Sequence, residues 1–189
     1  MRKVIASTFV TLDGYMVGPN EDMSWVTNNF SEEMGVYAGD LMNSMDTILL
    51  GRVTFEIMTK FWPAQTEATA PGADKMNTNP KIVFSKTLDK AEWGHWKNAR
   101  VVKGNAAGEI ARLKQQPGKD MVIYGSANLV QGFTQLGLID EYQLLVHPLA
   151  LGGGKRLWAD MAHPVNLKLL RTQAFKNGVA VLYYEPVRE

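Results

Sequence analysis

Short runs of β-branched and aliphatic residues alternate along this chain with segments whose apolar positions recur every three or four residues. That alternation predicts strands separated by helices. Residues 3–12 (KVIASTFVTL) read as a buried first strand. In residues 31–44 Met34, Tyr37, Ala38 and Leu41 share one face behind the capping Ser31, which predicts an amphipathic helix. A short buried strand over 46–51 is followed by a helix over 52–62 that Pro63 ends. Residues 64–80 are polar, contain Pro and Gly and lack an apolar period, so they predict a loop, either a lid or plain surface.

The same reading continues to the C-terminal side. Strands are predicted over 81–85 and 99–102, then a helix over 107–116 with Ile110 and Leu113 inward, stopped by Pro117-Gly118. A strand over 120–125 leads into a helix over 126–137, with Leu129, Val130, Phe133 and Leu136 inward and Gly137 at its end. Residues 141–151 predict a strand running into a Gly-rich turn. Residues 166–175 and 178–187 have strand character around Lys176-Asn177-Gly178, a hairpin signal. The pattern predicts one α/β domain over 1–189, with a mostly parallel sheet, helices on its faces and an antiparallel hairpin near the C-terminus.

Composition narrows the function classes. With 46% apolar and 21% charged residues the chain has the make-up of a soluble globular protein. Its 20 basic residues are scattered and balanced by 19 acidic ones, which speaks against nucleic-acid binding. No apolar run approaches the ~20 residues of a membrane span, and the N-terminal stretch lacks the pattern of a signal peptide. Cysteine is absent, which removes disulfides, thiolate nucleophiles and zinc–thiolate sites and fits a cytoplasmic location. His95, His147 and His163 are far apart with no H-x-x-x-H pattern, so no metal site is expected and core or surface roles are assigned to them.

In a parallel sheet, ligands collect at the carboxyl ends of strands. Three predicted strand ends have the same make-up, namely Gly51-Arg52-Val53-Thr54, Ser85-Lys86-Thr87 and Gly125-Ser126-Ala127-Asn128. Each offers small residues, hydroxyls or a cation where backbone N–H groups point outward, as anion sites do. Arg52 opens its helix, where the dipole disfavours a cation. A bound anion would resolve that conflict, and so would solvent or a contact with Glu56. Neither G-x-G-x-x-G nor a P-loop is present; after the triple glycine, Arg156 stands where a P-loop needs Ser or Thr.

Three segments carry a family resemblance. LLGRVTFE resembles the G-R-x-T-x-E segment of dihydrofolate reductases. VTLDGYMVGP resembles the S-L-D-G segment of the riboflavin-biosynthesis pyrimidine reductase (RibD C-terminal) domain, with Thr11 for the usual Ser. Residues 122–158 resemble its G-G-S-x-L … G-L-I-D-E … P-x-x-L-G-G-G stretch, with Tyr124-Gly125 where Gly-Gly is usual. The resemblance spans residues 3 to about 185. It implies a dihydrofolate reductase-like three-layer α/β/α fold with a mixed, mostly parallel sheet of about eight strands.

It also implies NADPH as cofactor, laid across the strand ends. Carried over by position, Ser7 lies near the nicotinamide carboxamide. Gly51, Arg52 and Thr54 hold the phosphate region, Arg52 nearest the 2′-phosphate. Ser85 and Lys86 complete that 2′-phosphate site, and Gly125, Ser126, Ala127 and Asn128 cradle the pyrophosphate. Two cations at the 2′-phosphate favour NADPH over NADH. A homodimer is implied too, with the C-terminal strands as the contact.

The substrate end is less specified. GPNEDMSW has the spacing of the active-site loop of dihydrofolate reductases, whose substrate-protonating acid lies five positions beyond the Trp. Here that position is Phe30, which disfavours folate. Trp25 and Phe30 are assigned to the substrate pocket, Trp62 to a pocket wall or the core. Asp13 is a candidate catalytic residue or a turn residue, and Lys155 and Arg156 are candidate phosphate anchors or surface charges. Reduction of a small heterocyclic, imine or carbonyl compound follows, with a phosphoribosylaminouracil, as in riboflavin synthesis, among the candidates. The alternatives are a non-catalytic nucleotide-binding protein and an interaction module with an empty cleft.

Overall fold

A computed structural model of the protein describes residues 1–159 and 161–188. In chain order the elements are β1 (Val4–Thr11), β2 (Tyr15–Val17), α1 (Ser24–Thr27), α2 (Glu32–Ser44), β3 (Met45–Gly51), α3 (Arg52–Met58), α4 (Ala73–Thr78), β4 (Lys81–Phe84) and β5 (Ala99–Val102). They continue with α5 (Ala106–Lys114), β6 (Asp120–Ile123), α6 (Ala127–Gln135), β7 (Glu141–His147), β8 (Lys155–Arg156), β9 (Leu167–Ala174) and β10 (Ala180–Pro186).

Eight strands form one sheet in the order β5-β4-β3-β6-β1-β7-β10-β9, parallel from β5 to β7 and antiparallel across β7-β10-β9. The central strands carry near-continuous apolar runs because helices cover both faces. On one face Met34, Tyr37 and Leu41 of α2, Phe55 of α3 and Met76 of α4 pack on Ile48, Leu50, Val83 and Val122. On the other, Ile110 and Leu113 of α5 and Val130 and Phe133 of α6 meet Val4, Leu49, Ile82 and Ile123. The fold is the expected three-layer α/β/α arrangement, with the C-terminal hairpin.

Local chemistry explains the boundaries. Ser31 caps α2, its hydroxyl accepting from the Met34 N–H at 3.3 Å, and Asn105 caps α5 by accepting from Gly108 N–H at 3.0 Å. The β9–β10 turn takes a positive φ at Gly178, and Phe175 N–H donates to Val179 O at 2.8 Å.

The structure corrects several expected elements. The helix from Arg52 ends at Met58 rather than 62: past it the N–H groups of Lys60 and Phe61 bond carbonyls three residues back, those of Ile57 and Met58, and a tight turn over Trp62–Ala64 follows. Residues 64–80 are not all loop: α4 lies within them. Its anchor is polar, so no apolar period announced it. Asn77 donates to Trp62 O and Gln65 O at 2.9 and 3.2 Å and accepts from Trp93 Nε1 at 2.8 Å. The strand from 141 stops at His147, where Pro148 brings no N–H. Leu136, expected inside, is exposed just past the end of α6. The small β2–β8 ladder and the one-turn α1 were not expected at all.

Candidate active site

All six parallel strands end on the same edge of the sheet, so their order there is the order of the site: β5, β4, β3, β6, β1, β7. Three inter-strand spacings of about 4.8 Å separate β4 from β1, some ~14 Å in all.

At the β4 and β5 ends lies a groove of about 290 Å³ lined by Ser85, Lys86, Lys103, Asn105 and Asn128, with Phe133 at its base. Ser85 Oγ accepts from the N–H groups of Thr87 and Leu88 at 3.2 and 3.0 Å, which fixes the turn and leaves Lys86 exposed. Lys103, not anticipated from the sequence, donates to Asp89 at 2.6 Å.

The β3 and β6 ends touch. Gly51 N–H donates to Gly125 O at 3.2 Å. A Cβ on Gly51 would stand 2.5 Å from Ser126 Oγ, and one on Gly125 would stand 3.1 Å from Thr54 Oγ1. Gly125 has φ +129, and the Gly125–Ser126 peptide bond is cis. Bare glycines therefore let two strand-end turns approach closely, which sets the N-termini of α3 and α6 side by side. Unlike α2 and α5, neither helix has a side-chain cap. Their first N–H groups, including those of Arg52 and Ala127, form a paired set of donors with the positive ends of two helix dipoles behind them.

Arg52 lies along its helix, with its guanidinium on Glu56 at 2.9 and 3.0 Å. Both side chains are more than two-fifths exposed. An exposed (i, i+4) pair is worth about 0.3–0.5 kcal/mol, so a multiply charged phosphate can compete for this arginine.

β1 and β7 run on past the β3 and β6 turns, and partway along them, four residues short of their ends at Thr11 and His147, the site turns inward. Ser7 Oγ lies 2.9 Å from Tyr37 Oη, which donates to Gln143 Oε1 at 2.6 Å, all beneath α2. Tyr124 packs on the same side with its hydroxyl buried, and burial holds the phenols of Tyr37 and Tyr124 well above their ordinary pKa. Trp25 is buried and stands edge-on to His147, ring centroids 4.9 Å apart. Phe30 is half exposed at the rim. Trp62 packs against the α2-side core and Phe61.

Asp13 has a different setting. It accepts from Thr11 Oγ1 at 2.5 Å, Gly152 N–H at 2.7 Å and Leu151 N–H at 3.1 Å, tying the first turn to the Gly-rich loop. The Thr11 hydroxyl first, then the Gly152 amide, lower its pKa to about 2. A carboxylate so filled orients the loop and is ill suited to relaying a proton near neutrality. Lys155 pairs with Glu21, and Arg156 donates to Tyr15 Oη at 3.2 Å with its guanidinium over that ring.

His147, given a core or surface role by the sequence, is fully buried at the end of β7. Its place beside β1 comes from the parallel register Thr11↔His147, which spacing along the chain does not reveal. Among the described residues, no group of three or more His, Asp or Glu is arranged to hold a metal, and no helix is long and apolar enough to cross a membrane.

Comparison with known proteins follows the same lines. Residues 2–181 match the RibD C-terminal domain family. The Bacillus subtilis (strain 168) protein YyaP, itself uncharacterized, is 35% identical over 188 residues, covering 97% of this chain and 94% of that one. Among solved structures, a putative riboflavin biosynthesis protein from Shewanella sp. PV-4 superposes with a TM-score of 0.81 at 22% identity, over 98% of this chain and 99% of that one. Dihydrofolate reductase from Enterococcus faecalis, complexed with NADP(H) and RAB-propyl, gives a TM-score of 0.62 at 13% identity, over 97% and 96% of the two chains. At those identities the two structures speak to the fold.

Proposed function

Since the chain belongs to the RibD C-terminal domain family, we propose that it is an NADPH-dependent reductase of a small heterocyclic, imine or carbonyl compound. The observation that carries this reading is the pair of uncapped helix N-termini at the touching ends of β3 and β6. Free N–H donors there suit a pyrophosphate, and the groove at β4 and β5 suits an adenosine, with Arg52, Ser85 and Lys86 around its 2′-phosphate. The third end, at β1 and β7, then receives the nicotinamide, which supplies a hydride when bound reduced. Thr54 keeps the β3 turn against Gly125, and Asn128 faces the groove from α6.

The remaining residues position and enclose. Ser7 faces the reacting end from β1, Trp25 and Phe30 close it, and Asp13 holds the Gly-rich loop in place. Phosphoribosylaminouracil reduction is the named activity nearest to this reading. A homodimer would use β9, which is exposed along nearly its whole length and presents Leu169 and Leu170 at the sheet edge.

Titration of the purified protein with NADPH and NADH, followed by nicotinamide fluorescence, tests the cofactor site. Binding that favours NADPH, with the preference lost in Arg52→Ala, supports it. Equal binding of both dinucleotides, or of neither, overturns it.

A further inference from the structure

We infer that His147 is the proton donor of the reduction, hydrogen-bonding the substrate heteroatom next to the carbon that accepts hydride; this rests on the reductase reading above. Three observations converge on it. His147 ends β7, beside β1, at the strand end beyond the two touching turns. Its imidazole is fully buried, yet neither Nδ1 nor Nε2 has a hydrogen-bond partner, and it is the one side chain among the described residues with two such atoms. Its ring stands at 88° to Trp25, whose own Nε1 is buried without a partner, and at 75° to Phe9.

A histidine serving only the core would place its polar nitrogens on carbonyls or hydroxyls, because each buried orphan costs about 1–3 kcal/mol. The edge-on rings supply at most weak N–H···π contacts. Both nitrogens are therefore left for something that enters between Trp25 and the strand end. The chemistry matches: reducing C=N or C=O needs one hydride and one proton. As hydride reaches the carbon, the π pair moves to nitrogen or oxygen. That atom takes the proton from the imidazolium, which becomes neutral imidazole and is recharged from solvent.

The surroundings of the ring are apolar. From β1 it meets Phe9, with Thr11 opposite in register; α1 contributes Trp25, and β10 places Ala180 opposite neighbouring Val146. Asp13, two residues past Thr11, is turned to the Gly-rich loop. Burial alone lowers the imidazole pKa below its ordinary 6.5.

Two measurements test this. Protein labelled with ¹⁵N-histidine is titrated by NMR in complex with NADP⁺ and with NADPH, His147 being assigned by its loss in His147→Gln. The charge of the oxidised ring beside His147 should lower its pKa relative to the NADPH complex and leave His95 and His163 unmoved. A His147 that responds no differently from the other two overturns the inference. Single-turnover reduction of 3,4-dihydroisoquinoline and 4-nitrobenzaldehyde is then followed against pH. Whichever is reduced should be reduced faster as pH falls, and His147→Gln should be slowed about 10²-fold with that dependence gone and NADPH affinity kept. An unchanged profile in His147→Gln overturns the inference; if neither probe is reduced, the resonances decide alone. Failure of the reductase reading looks different, since NADPH then binds no better than NADH, or neither binds.

Discussion

The hydroxyl of Ser7 can only donate to Tyr37, although the two oxygens, 2.9 Å apart, would each serve as donor or acceptor in isolation. The direction is set two residues away. Gln143 Nε2 donates to the Glu141 carboxylate at 2.8 Å, which turns Gln143 Oε1 toward Tyr37. Tyr37 must then give its proton to Gln143, at 2.6 Å, and take one from Ser7. Ser7 is left with lone pairs only for any further partner.

That ordering predicts unequal costs. Tyr37→Phe strands the Ser7 hydroxyl and Gln143 Oε1 together in a buried site and should destabilise by about 1–3 kcal/mol. Ser7→Ala leaves the Tyr37–Gln143 bond standing and should cost less. Urea unfolding of the two variants measures the difference, and equal losses would refute the assigned direction.

Asp13 predicts an acid limb to stability. Its folded pKa, about 2, is depressed below the ordinary carboxylate value of about 3.9. Its contribution is thus complete above that ordinary value and is lost as pH falls through the folded one. The gap between wild type and Asp13→Asn in urea midpoint should be constant from about pH 5 to 8 and should narrow between about pH 4 and 2.

Lys81 predicts the opposite limb. It is fully buried, donates to Asn77 O at 2.6 Å and lies over the Trp93 ring, and desolvation lowers its pKa to about 7. The unfolded chain, with an ordinary pKa near about 10.4, binds more protons between those values. Stability should therefore rise with pH across about 7 to 10. Lys81→Met should flatten that rise, which thermal melts at fixed ionic strength would show.

The contact between the β3 and β6 turns predicts coupling. Gly51→Ala drives a methyl into Ser126 Oγ, and Ser126→Ala removes that oxygen. The double variant should recover part of the stability lost in Gly51→Ala, a non-additive pair in a double-mutant cycle. Gly125→Ala has no such rescue, because φ +129 is itself hostile to a side chain, and should cost about 1–3 kcal/mol.

What the sequence disclosed follows from what writes a local signal. Apolar period located α2, α5, α6 and the buried strands, and small residues at strand ends marked the β3 and β6 turns. Elements held by polar anchors stayed hidden: α4 hangs on Asn77, and β2–β8 is a two-strand ladder with exposed Lys155 and Arg156 on one side. The neighbours of His147, Phe9 and Trp25, stayed hidden because they come from more than a hundred residues away. The loop-clamp role of Asp13 needed the Gly-rich loop at 151–152 to arrive in space. The partner of Arg52, by contrast, was among those the sequence raised: it is Glu56.

The turn of the β9–β10 hairpin reaches back across the molecule. Asn177 Nδ2 donates to Asn29 O at 2.6 Å, and Lys176 N–H donates to Glu33 Oε2 at 2.8 Å, just where α1 gives way to α2. The segment carrying Trp25 and Phe30 is thus fastened by residues synthesised about 150 positions later. During translation the β3 and β6 turns can meet well before that fastening exists, so a nascent chain would bring those two turns together first and secure the segment from α1 to α2 last.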